Sequence, residues 1–314
     1  MRFVILGTME CAKRLARAIM ESQNELVAMI SLKKELLPNN STDIKAFAQN
    51  IGVLYYEIEN INDEEELIRS LEIDVLVFVW PRIIKSHIYK LPKVITFGIH
   101  STKLPQNRGR HALHWSKVLG LKESAISFFE IDEGIDTGKI LLQVLLKFDD
   151  KDDINSMNAK VDDAMYEGLT ELLKNPLSFQ NKRNQEGEAN YWRKRNMHDV
   201  LLDMRMSSHM IINTIKSFTS PYPCAKLIID NYIVDIVEAQ RVLIDKEIVN
   251  MEHGKIYKIE NNAVLVKCED CIVRLVSKEN GFAFLNAEEN SVSVAGGGYI
   301  YPPSYYIQKY RLEI

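Results

Sequence analysis

The chain has 314 residues, of which 46% are hydrophobic and 26% charged, and its formal net charge is −4. These values are typical of a globular protein long enough for two domains, and they exclude disordered and fibrous classes. Apolar runs such as 75–80 are far shorter than the ~20 residues of a membrane helix, and residues 2–7 predict a strand, not a signal peptide. We therefore expect a cytoplasmic protein without membrane association.

Apolar strands alternate with amphipathic helices through the first 80 residues. The spacing predicts strands at 2–7, 26–30, 52–56 and 73–79, and helices at 11–19, 41–50 and 63–70. This alternation predicts an α/β fold, a Rossmann-like doubly wound parallel sheet. Gly7 stands without the other glycines of a dinucleotide-binding loop, so no NAD site is predicted.

The second half of the chain changes character after a helix predicted at 155–174. Residues 181–204 are polar and charged, and we interpret them as a linker, with Tyr191-Trp192 as an anchor on the first domain. A helix at 208–218 and five short alternating segments follow, which favour a small β-barrel or OB-like domain. The predicted domains are therefore a catalytic domain at 1–180, the linker, and a β-rich domain at 205–314.

Four cysteines are consistent with a reducing compartment. Cys11 and Cys224 stand alone, and only Cys268 and Cys271 form a C-x-x-C pair. A structural zinc site normally has a second ligand pair, which the sequence lacks. We therefore interpret the pair as ordinary hairpin residues and expect no metal.

The most informative segment runs from 97 to 138. It places His100 at the end of an apolar strand and, about 35 residues later, Asp136 in the turn D-E-G-I-D-T-G. An imidazole and a carboxylate are suited to moving protons at a carbonyl centre. Ligands of doubly wound sheets bind beyond the carboxyl ends of the strands, where both Trp80 and His100 fall. The sequence thus predicts an enzyme with one cleft at this edge.

This segment resembles the folate-dependent formyltransferase family, in which Asn-x-His is followed by S-x-L-P-x-x-R-G and D-x-G-x-D-T-G. The match is specific from about 75 to 143, and it is most like the sugar N-formyltransferase branch. The resemblance implies transfer of a formyl group from 10-formyltetrahydrofolate to an amine. It also implies that His100 moves the proton and that Asp136 orients this histidine. For His100 alone, the alternative is a ring satisfied by a backbone carbonyl.

Gly98 departs from the family pattern, because it stands where the family usually has Asn. That asparagine donates to the developing oxyanion, and loss of one such donor typically costs about 3 to 4 kcal/mol. We interpret Gly98 as part of a variant catalytic site, in which protonated His100, a backbone N–H or a held water substitutes. The alternative is a catalytically silent folate-binding homologue.

The resemblance also implies where the folate binds. A flat heteroaromatic with polar edges suits an apolar cleft with a few fixed polar groups. Trp80 taken alone is more often a core residue, and Asp132 is more often a turn residue. The expected cofactor contacts are Trp80, Pro81, Arg82, Ile83, Asp132 and Ile135.

Arg108 and Arg110 flank Gly109 directly after the predicted catalytic strand, and an arginine fork matches phosphate oxygens. In the resembled family, R-G-R is frequent in transferases of nucleotide-linked amino sugars, whereas tRNA-specific members tend to have R-G-A. Arg108 as a structural ion pair is the alternative. The expected acceptor contacts are Ser101, Arg108, Gly109, Arg110 and Trp115.

The charge distribution favours a small-molecule acceptor over tRNA. From Arg205 onward, 12 Lys and Arg stand against 13 Asp and Glu, whereas tRNA binding needs a basic face. We therefore predict a nucleotide-linked amino sugar and no nucleic acid, with methionyl-tRNA formyltransferase or hydrolysis of 10-formyltetrahydrofolate as alternatives. The sugar stays open, and so does the oligomeric state, with a homodimer through exposed sheet edges as one option.

Overall fold

The computed structural model describes residues 1–243, 250–286 and 298–311. The chain divides into two compact units, each built from several stretches of sequence. The first comprises Met1–Leu113, Lys122–Asp149 and Ser156–Arg193, and the second His114–Leu121, Asp150–Asn155 and Lys194–Ile314. The predicted domain boundaries stay a prediction.

A seven-stranded sheet organises the first unit. The strands here are β1 (Arg2–Gly7), β2 (Glu25–Leu32), β3 (Leu54–Ile58), β4 (Val75–Val79), β5 (Ile95–His100), β6 (Arg108–Gly109), β7 (Glu123–Glu130), β8 (Ile140–Lys147) and β9 (Tyr191–Trp192). The sheet order is β3-β2-β1-β4-β5-β7-β8, while β6 pairs separately with β9. Strands β1 to β5 are parallel, and β7 and β8 run antiparallel. The predicted Rossmann-like fold is confirmed.

Helices connect these strands, four of them in the places that the apolar spacing predicts, whereas α4 and α5 were not predicted. They are α1 (Glu10–Met20), α2 (Ile44–Asn50), α3 (Glu65–Ser70), α4 (Ser86–Tyr89), α5 (Ala112–Val118) and α6 (Ile154–Leu173). The helix predicted at 41–50 starts later, because Asp43 is its cap and accepts from the Ala46 N–H at 2.8 Å. Among the helices of the described ranges, none is long and apolar enough to cross a membrane.

The core of the first unit explains why β5 can carry a polar end. Strand β4 is apolar throughout and lies between β1 and β5, as expected of a central parallel strand. On β5, the buried Phe97 ring stacks on Phe179 with centroids 5.9 Å apart, and Phe179 also meets Phe3 edge-on at 6.1 Å. The strand is thus fixed by aromatic packing at Phe97, three residues before His100.

The second unit is built on a five-stranded antiparallel sheet. Its elements are α7 (Ser208–Ser217), β10 (Ala225–Ile229), β11 (Tyr232–Val242), β12 (Ile256–Glu260), β13 (Ala263–Lys267), β14 (Ile272–Ser277) and α8 (Pro303–Tyr310). The sheet order is β10-β11-β14-β13-β12. Ile211 and Ile215 of α7 pack into one buried cluster with the inner faces of these strands. The short strands predicted from the alternation are confirmed as an antiparallel sheet domain.

The segment predicted as a linker has defined partners. Tyr191–Trp192 forms β9, and in the first unit the Lys182 ammonium pairs with Glu130 at 2.8 Å. In the second unit, Arg195 is only 5% exposed, and its guanidinium lies 4.8 Å from the Trp115 ring and 4.2 Å from the Phe218 ring. These basic side chains therefore serve structural contacts within their own units.

Candidate active site

His100 closes β5, with 11% of its side chain exposed. Its Nε2 lies 2.9 Å from the Asn107 carbonyl oxygen. Because a carbonyl only accepts, this contact assigns the proton to Nε2 and leaves Nδ1 as the basic nitrogen of the neutral ring. The alternative of a histidine held by a backbone carbonyl therefore applies to Nε2. Nδ1 stays available for proton transfer.

Asp136 faces this second nitrogen. Its Oδ2 lies 3.7 Å from His100 Nδ1, which is an ion-pair distance but too long for a hydrogen bond. The same oxygen accepts the Gly109 N–H at 2.8 Å. Asp136 has a φ of 55°, a left-handed conformation that Asp tolerates better than most residues. The carboxylate thus connects the histidine to the start of the arginine loop.

Gln185 ties the two loops of the site together. Its side-chain N–H group donates to the carbonyl oxygens of Asp136 and Gly138, both at 2.8 Å. Its Oε1 accepts from Arg108 Nε at 3.2 Å and from Nη2 at 2.7 Å. Sequence reasoning missed this residue, because one glutamine in a charged stretch gives no signal of its partners 47 and 77 positions away.

The pairing of β6 with β9 fixes the arginine loop from the other side. Asn190 accepts the Asn107 N–H at 2.8 Å through its side chain, and the Trp192 carbonyl accepts the Arg110 N–H at 3.1 Å. Gly109 has a φ of 105°, and a Cβ there would lie 2.3 Å from the Trp192 carbonyl oxygen. Only glycine permits this close approach of the two backbones.

The two arginines of the loop have different surroundings. Arg108 donates to the Tyr191 hydroxyl at 3.0 Å as well as to Gln185, so it is held by neutral partners. Among the described residues, Arg108 forms no ion pair, which was the alternative considered for it. Its hydrogen bonds to Gln185 and Tyr191 nevertheless support a structural role. The Arg110 side chain is exposed and makes no hydrogen bond or ion pair with the part of the chain that the structure describes.

Gly98 is buried in β5, and neighbouring side chains fill the space beside it. A Cβ at this position would lie 2.7 Å from Ile131 Cδ1 and 3.1 Å from the Phe129 ring. A side chain at this position would require the end of Ile131 to move and the Phe129 ring to shift slightly. An asparagine therefore fits only if these two neighbours rearrange.

The expected folate contacts lie on two loops that share an apolar cluster. Trp80 and Ile131 are half-buried and pack against the same cluster, which also contains Ile84. The Trp80 indole N–H is buried and has no hydrogen-bond partner among the described residues. Ile83 is 74% exposed and Ile135 is 56% exposed, so both present apolar surface beside this cluster's loops.

The remaining expected contacts have mainly structural partners. Arg82 donates to the Glu59 carbonyl at 2.6 Å, and half-buried Pro81 precedes it in the loop. Asp132 accepts from the Gly134 N–H at 3.0 Å and the Thr137 hydroxyl at 2.6 Å, which supports the turn role considered for it.

Ser101 and Trp115 have the following contacts. The Ser101 carbonyl accepts from the Ser124 hydroxyl at 3.2 Å, and its side chain is half-buried. Trp115 belongs to the second compact unit, where Arg195 lies against its ring. Their acceptor roles stay predictions.

Comparison with known families decides the class of the enzyme. The formyl transferase family model matches residues 1–173, and the model of the formyl transferase C-terminal domain matches residues 196–288. The chain belongs to the formyl transferase family. It is therefore a formyl-transferring enzyme, as the 97–138 segment predicted. Residues 174–195, which contain Gln185 and β9, lie outside both matched regions.

Individual relatives of this formyltransferase have different acceptors in their names. The methionyl-tRNA formyltransferase of Kosmotoga olearia is 25% identical over 287 residues, 88% of this chain and 90% of that protein. WlaRD, a sugar 3N-formyl transferase solved with dTDP and 5-N-formyl-THF, matches with a TM-score of 0.67 and 17% identity over 89% of this chain and 98% of that one.

A second solved structure is the N-formyltransferase of Helicobacter canadensis in complex with folinic acid and dTDP-3-aminofucose. It matches with a TM-score of 0.65 and 16% identity, over 88% of this formyltransferase and 98% of that chain. At such low identities the structural likeness shows the fold alone, so the acceptor has to be argued from the site itself.

Proposed function

We propose that this formyltransferase moves the formyl group of 10-formyltetrahydrofolate to the free amine of a nucleotide-linked amino sugar. The observation that carries the proposal is the state of Arg110: an exposed guanidinium without a described partner, on a loop whose backbone is fixed by β9. An arginine on a fixed backbone, with its guanidinium available for two parallel hydrogen bonds, is suited to binding a phosphate. Two sugar N-formyltransferases share the fold of this chain.

The proposed chemistry uses His100 Nδ1 as the base. The neutral sugar amine attacks the formyl carbon, a C–N bond forms, and the amine proton passes to Nδ1. The Asp136 carboxylate at 3.7 Å stabilises the imidazolium electrostatically. The proton then passes to N10 of the folate as the bond between N10 and the formyl carbon breaks, and tetrahydrofolate leaves.

The developing oxyanion has no side-chain donor at position 98. Gly109 N–H is already engaged by Asp136, so it does not serve either. We infer that the negative charge is offset by the positively charged His100 ring and by a bound water, at some cost in rate relative to an asparagine-containing site.

The residues around the two loops fit a folate. The pterin is flat and has donors and acceptors along its edge, and the apolar cluster beneath Trp80 and Ile131 offers it a wall. The buried Trp80 N–H lacks a partner, and exposed Ile83 and Ile135 would be covered by a ligand. Ile135 lies within the turn that the Asp132–Thr137 hydrogen bond closes.

Methionyl-tRNA formyltransferase is the second candidate, favoured by the length and coverage of the Kosmotoga olearia match. Charge argues against it. In the second unit, Lys226 pairs with Asp235 at 2.6 Å and Arg274 with Glu260 at 2.9 Å, so these cations are neutralised by carboxylates. Binding to tRNA requires several cations that contact phosphates.

The deciding experiment measures tetrahydrofolate release from 10-formyltetrahydrofolate with a panel of nucleotide-linked amino sugars, formylatable methionyl-tRNA and no acceptor. We expect turnover with a sugar nucleotide alone. Turnover with tRNA alone would replace the proposal by the second candidate, turnover without acceptor would indicate a hydrolase, and folate binding with no turnover would indicate a silent homologue.

Arg110 provides a matched test of acceptor recognition. Arg110→Lys keeps the positive charge but loses the bidentate fork, whereas Arg110→Ala loses both. We expect KM for the sugar nucleotide to rise by roughly tenfold or more in Arg110→Ala and by less in Arg110→Lys, with KM for the folate unchanged. An unchanged acceptor KM in both variants would remove Arg110 from the acceptor site.

A further inference from the structure

The turn between β13 and β14 brings three potential metal ligands together. Cys268 and Cys271 close the hairpin, with the Cys268 N–H donating to the Cys271 carbonyl at 2.9 Å. Their Sγ atoms lie 4.0 Å apart, and Asp270 Oδ1 lies 3.3 Å from Cys268 Sγ. One ligand atom from each of the three residues falls within 4.8 Å of the others.

These separations match the edges of a small tetrahedron. With Zn–S bonds of about 2.3 Å, tetrahedral geometry places two sulfur ligands about 3.8 Å apart, and a sulfur and an oxygen ligand slightly closer. The Sγ–Sγ separation of 4.0 Å is thus compatible with one shared ion. It is about twice the length of a disulfide bond, so the pair is described in its reduced form.

The carboxylate is held in place by the start of α7. Asp270 accepts the Ser208 N–H and the Ser208 hydroxyl, each at 2.7 Å, so the ligand orientation is set before any ion arrives. Arg241 lies 3.4 Å from the other carboxylate oxygen, and buried Lys267 donates to the Cys268 and Glu269 carbonyls. Both positive charges would repel a metal ion.

We propose that Cys268, Asp270 and Cys271 form a binding site for a thiophilic divalent cation such as Zn²⁺, with solvent completing the coordination. Cys268 is buried, Cys271 half-buried and Asp270 exposed, so the site has an open side. Since Asp270 also holds the first residue of α7, a bound ion would link the β13–β14 hairpin to this helix. The site serves stability and takes no part in formyl transfer.

Binding has to displace protons from the two thiols, because thiolates are the metal ligands. Affinity for the metal should therefore increase with pH.

The test titrates Zn²⁺ alone into the fully reduced, metal-free protein, with a chromophoric chelator as competitor. We expect one equivalent to bind and the melting temperature to rise. Co²⁺ should give the absorption of a thiolate-to-cobalt charge transfer. Cys271→Ser, which leaves the Asp270 contacts to α7 intact, should weaken binding by at least about tenfold and lower the charge-transfer absorption per bound cobalt, because one thiolate ligand remains.

Cys224→Ser is the matched control, because it removes a cysteine of the same unit and keeps all three ligands. It should bind like the parent protein. The proposal fails if the parent protein binds no ion, if Cys271→Ser binds equally well, or if thiol titration shows Cys268 and Cys271 joined as a disulfide in the purified protein. Each readout is independent of formyl transfer.

Discussion

His100 and Asp136 carry the proposed chemistry at the scale of single residues. His100→Ala and Asp136→Asn should each lower turnover by about 100-fold, because a positioned proton-transfer group contributes on that order. The melting temperature should change little. His87→Ala is a suitable control, since His87 also contacts a backbone carbonyl, that of Asn62 at 2.8 Å, but is exposed. Near-normal turnover of either site variant would contradict the assigned role.

Gly98 gives the sharpest test of how the site is built. Gly98→Asn should slow turnover and destabilise the fold by about 1 to 3 kcal/mol, because the new side chain meets Ile131 and Phe129. Gly98→Asn with Ile131→Ala should recover much of that stability, with Ile131→Ala alone as the control. Turnover and melting temperature are measured for each variant. If Gly98→Asn alone is faster than the parent enzyme and equally stable, the site has room for the asparagine side chain and the expectation is wrong.

The relation of sequence to structure differs among these residues. The motif spacing indicated that His100 and Asp136 belong together, and the structure places them at an ion-pair distance. The same spacing could not show that Ile131 occupies the space beside Gly98. Which side chains lie next to a buried residue depends on the register between neighbouring strands, here β5 and β7.

At the scale of elements, Gln185 and β9 position the loops of the site. Gln185→Ala should lower kcat/KM by about tenfold or more, because it removes the acceptor of two hydrogen bonds from charged Arg108 and the donor to two carbonyls. The expected split is a higher KM for the acceptor and a lower kcat. Gln106→Ala is the control, since Gln106 reaches the same segment through one bond of 3.5 Å.

Gln185→Glu separates the two functions of this side chain. A carboxylate still accepts from Arg108, but it cannot donate to the carbonyls of Asp136 and Gly138. If Gln185→Glu matches the parent enzyme, the contact with Arg108 alone matters. If Gln185→Ala has normal kinetics for both substrates, Gln185 does not position the site.

At the scale of the whole molecule, one half-buried carboxyl links stability to pH. Burial raises the pKa of Asp162 to about 6, although Arg14 opposes the shift. The folded state therefore binds this proton more tightly than the unfolded state, whose pKa is near 3.9. The resulting stabilisation is present below about pH 4 and is lost as the pH rises through 6.

Asp162→Asn should consequently raise the free energy of unfolding at pH 8 by about 1 kcal/mol and have little effect at pH 4. Thermal melting across this range measures the difference. Asp163→Asn is the control, because Asp163 is exposed and lies 3.7 Å from Arg14. An equal effect of Asp162→Asn at both pH values would show that Asp162 titrates normally in the fold.

The sequence by itself determined the classes of structure and chemistry. Strand and helix periodicity depends on local burial, so it predicted the parallel sheet of the first unit and the short strands of the second. The motif around His100 and Asp136 has fixed spacing, so it indicated the formyltransferase family before any coordinates.

Only the tertiary structure decided how the site is held and what else the fold brings together. The contact of Gln185 with Arg108 spans 77 positions, and that of Asp270 with Ser208 spans 62. Such pairs leave no periodic trace, because they depend on which strands and loops become neighbours. The β6–β9 pairing, the filled space at Gly98 and the Cys268–Cys271 turn against α7 all arise in this way.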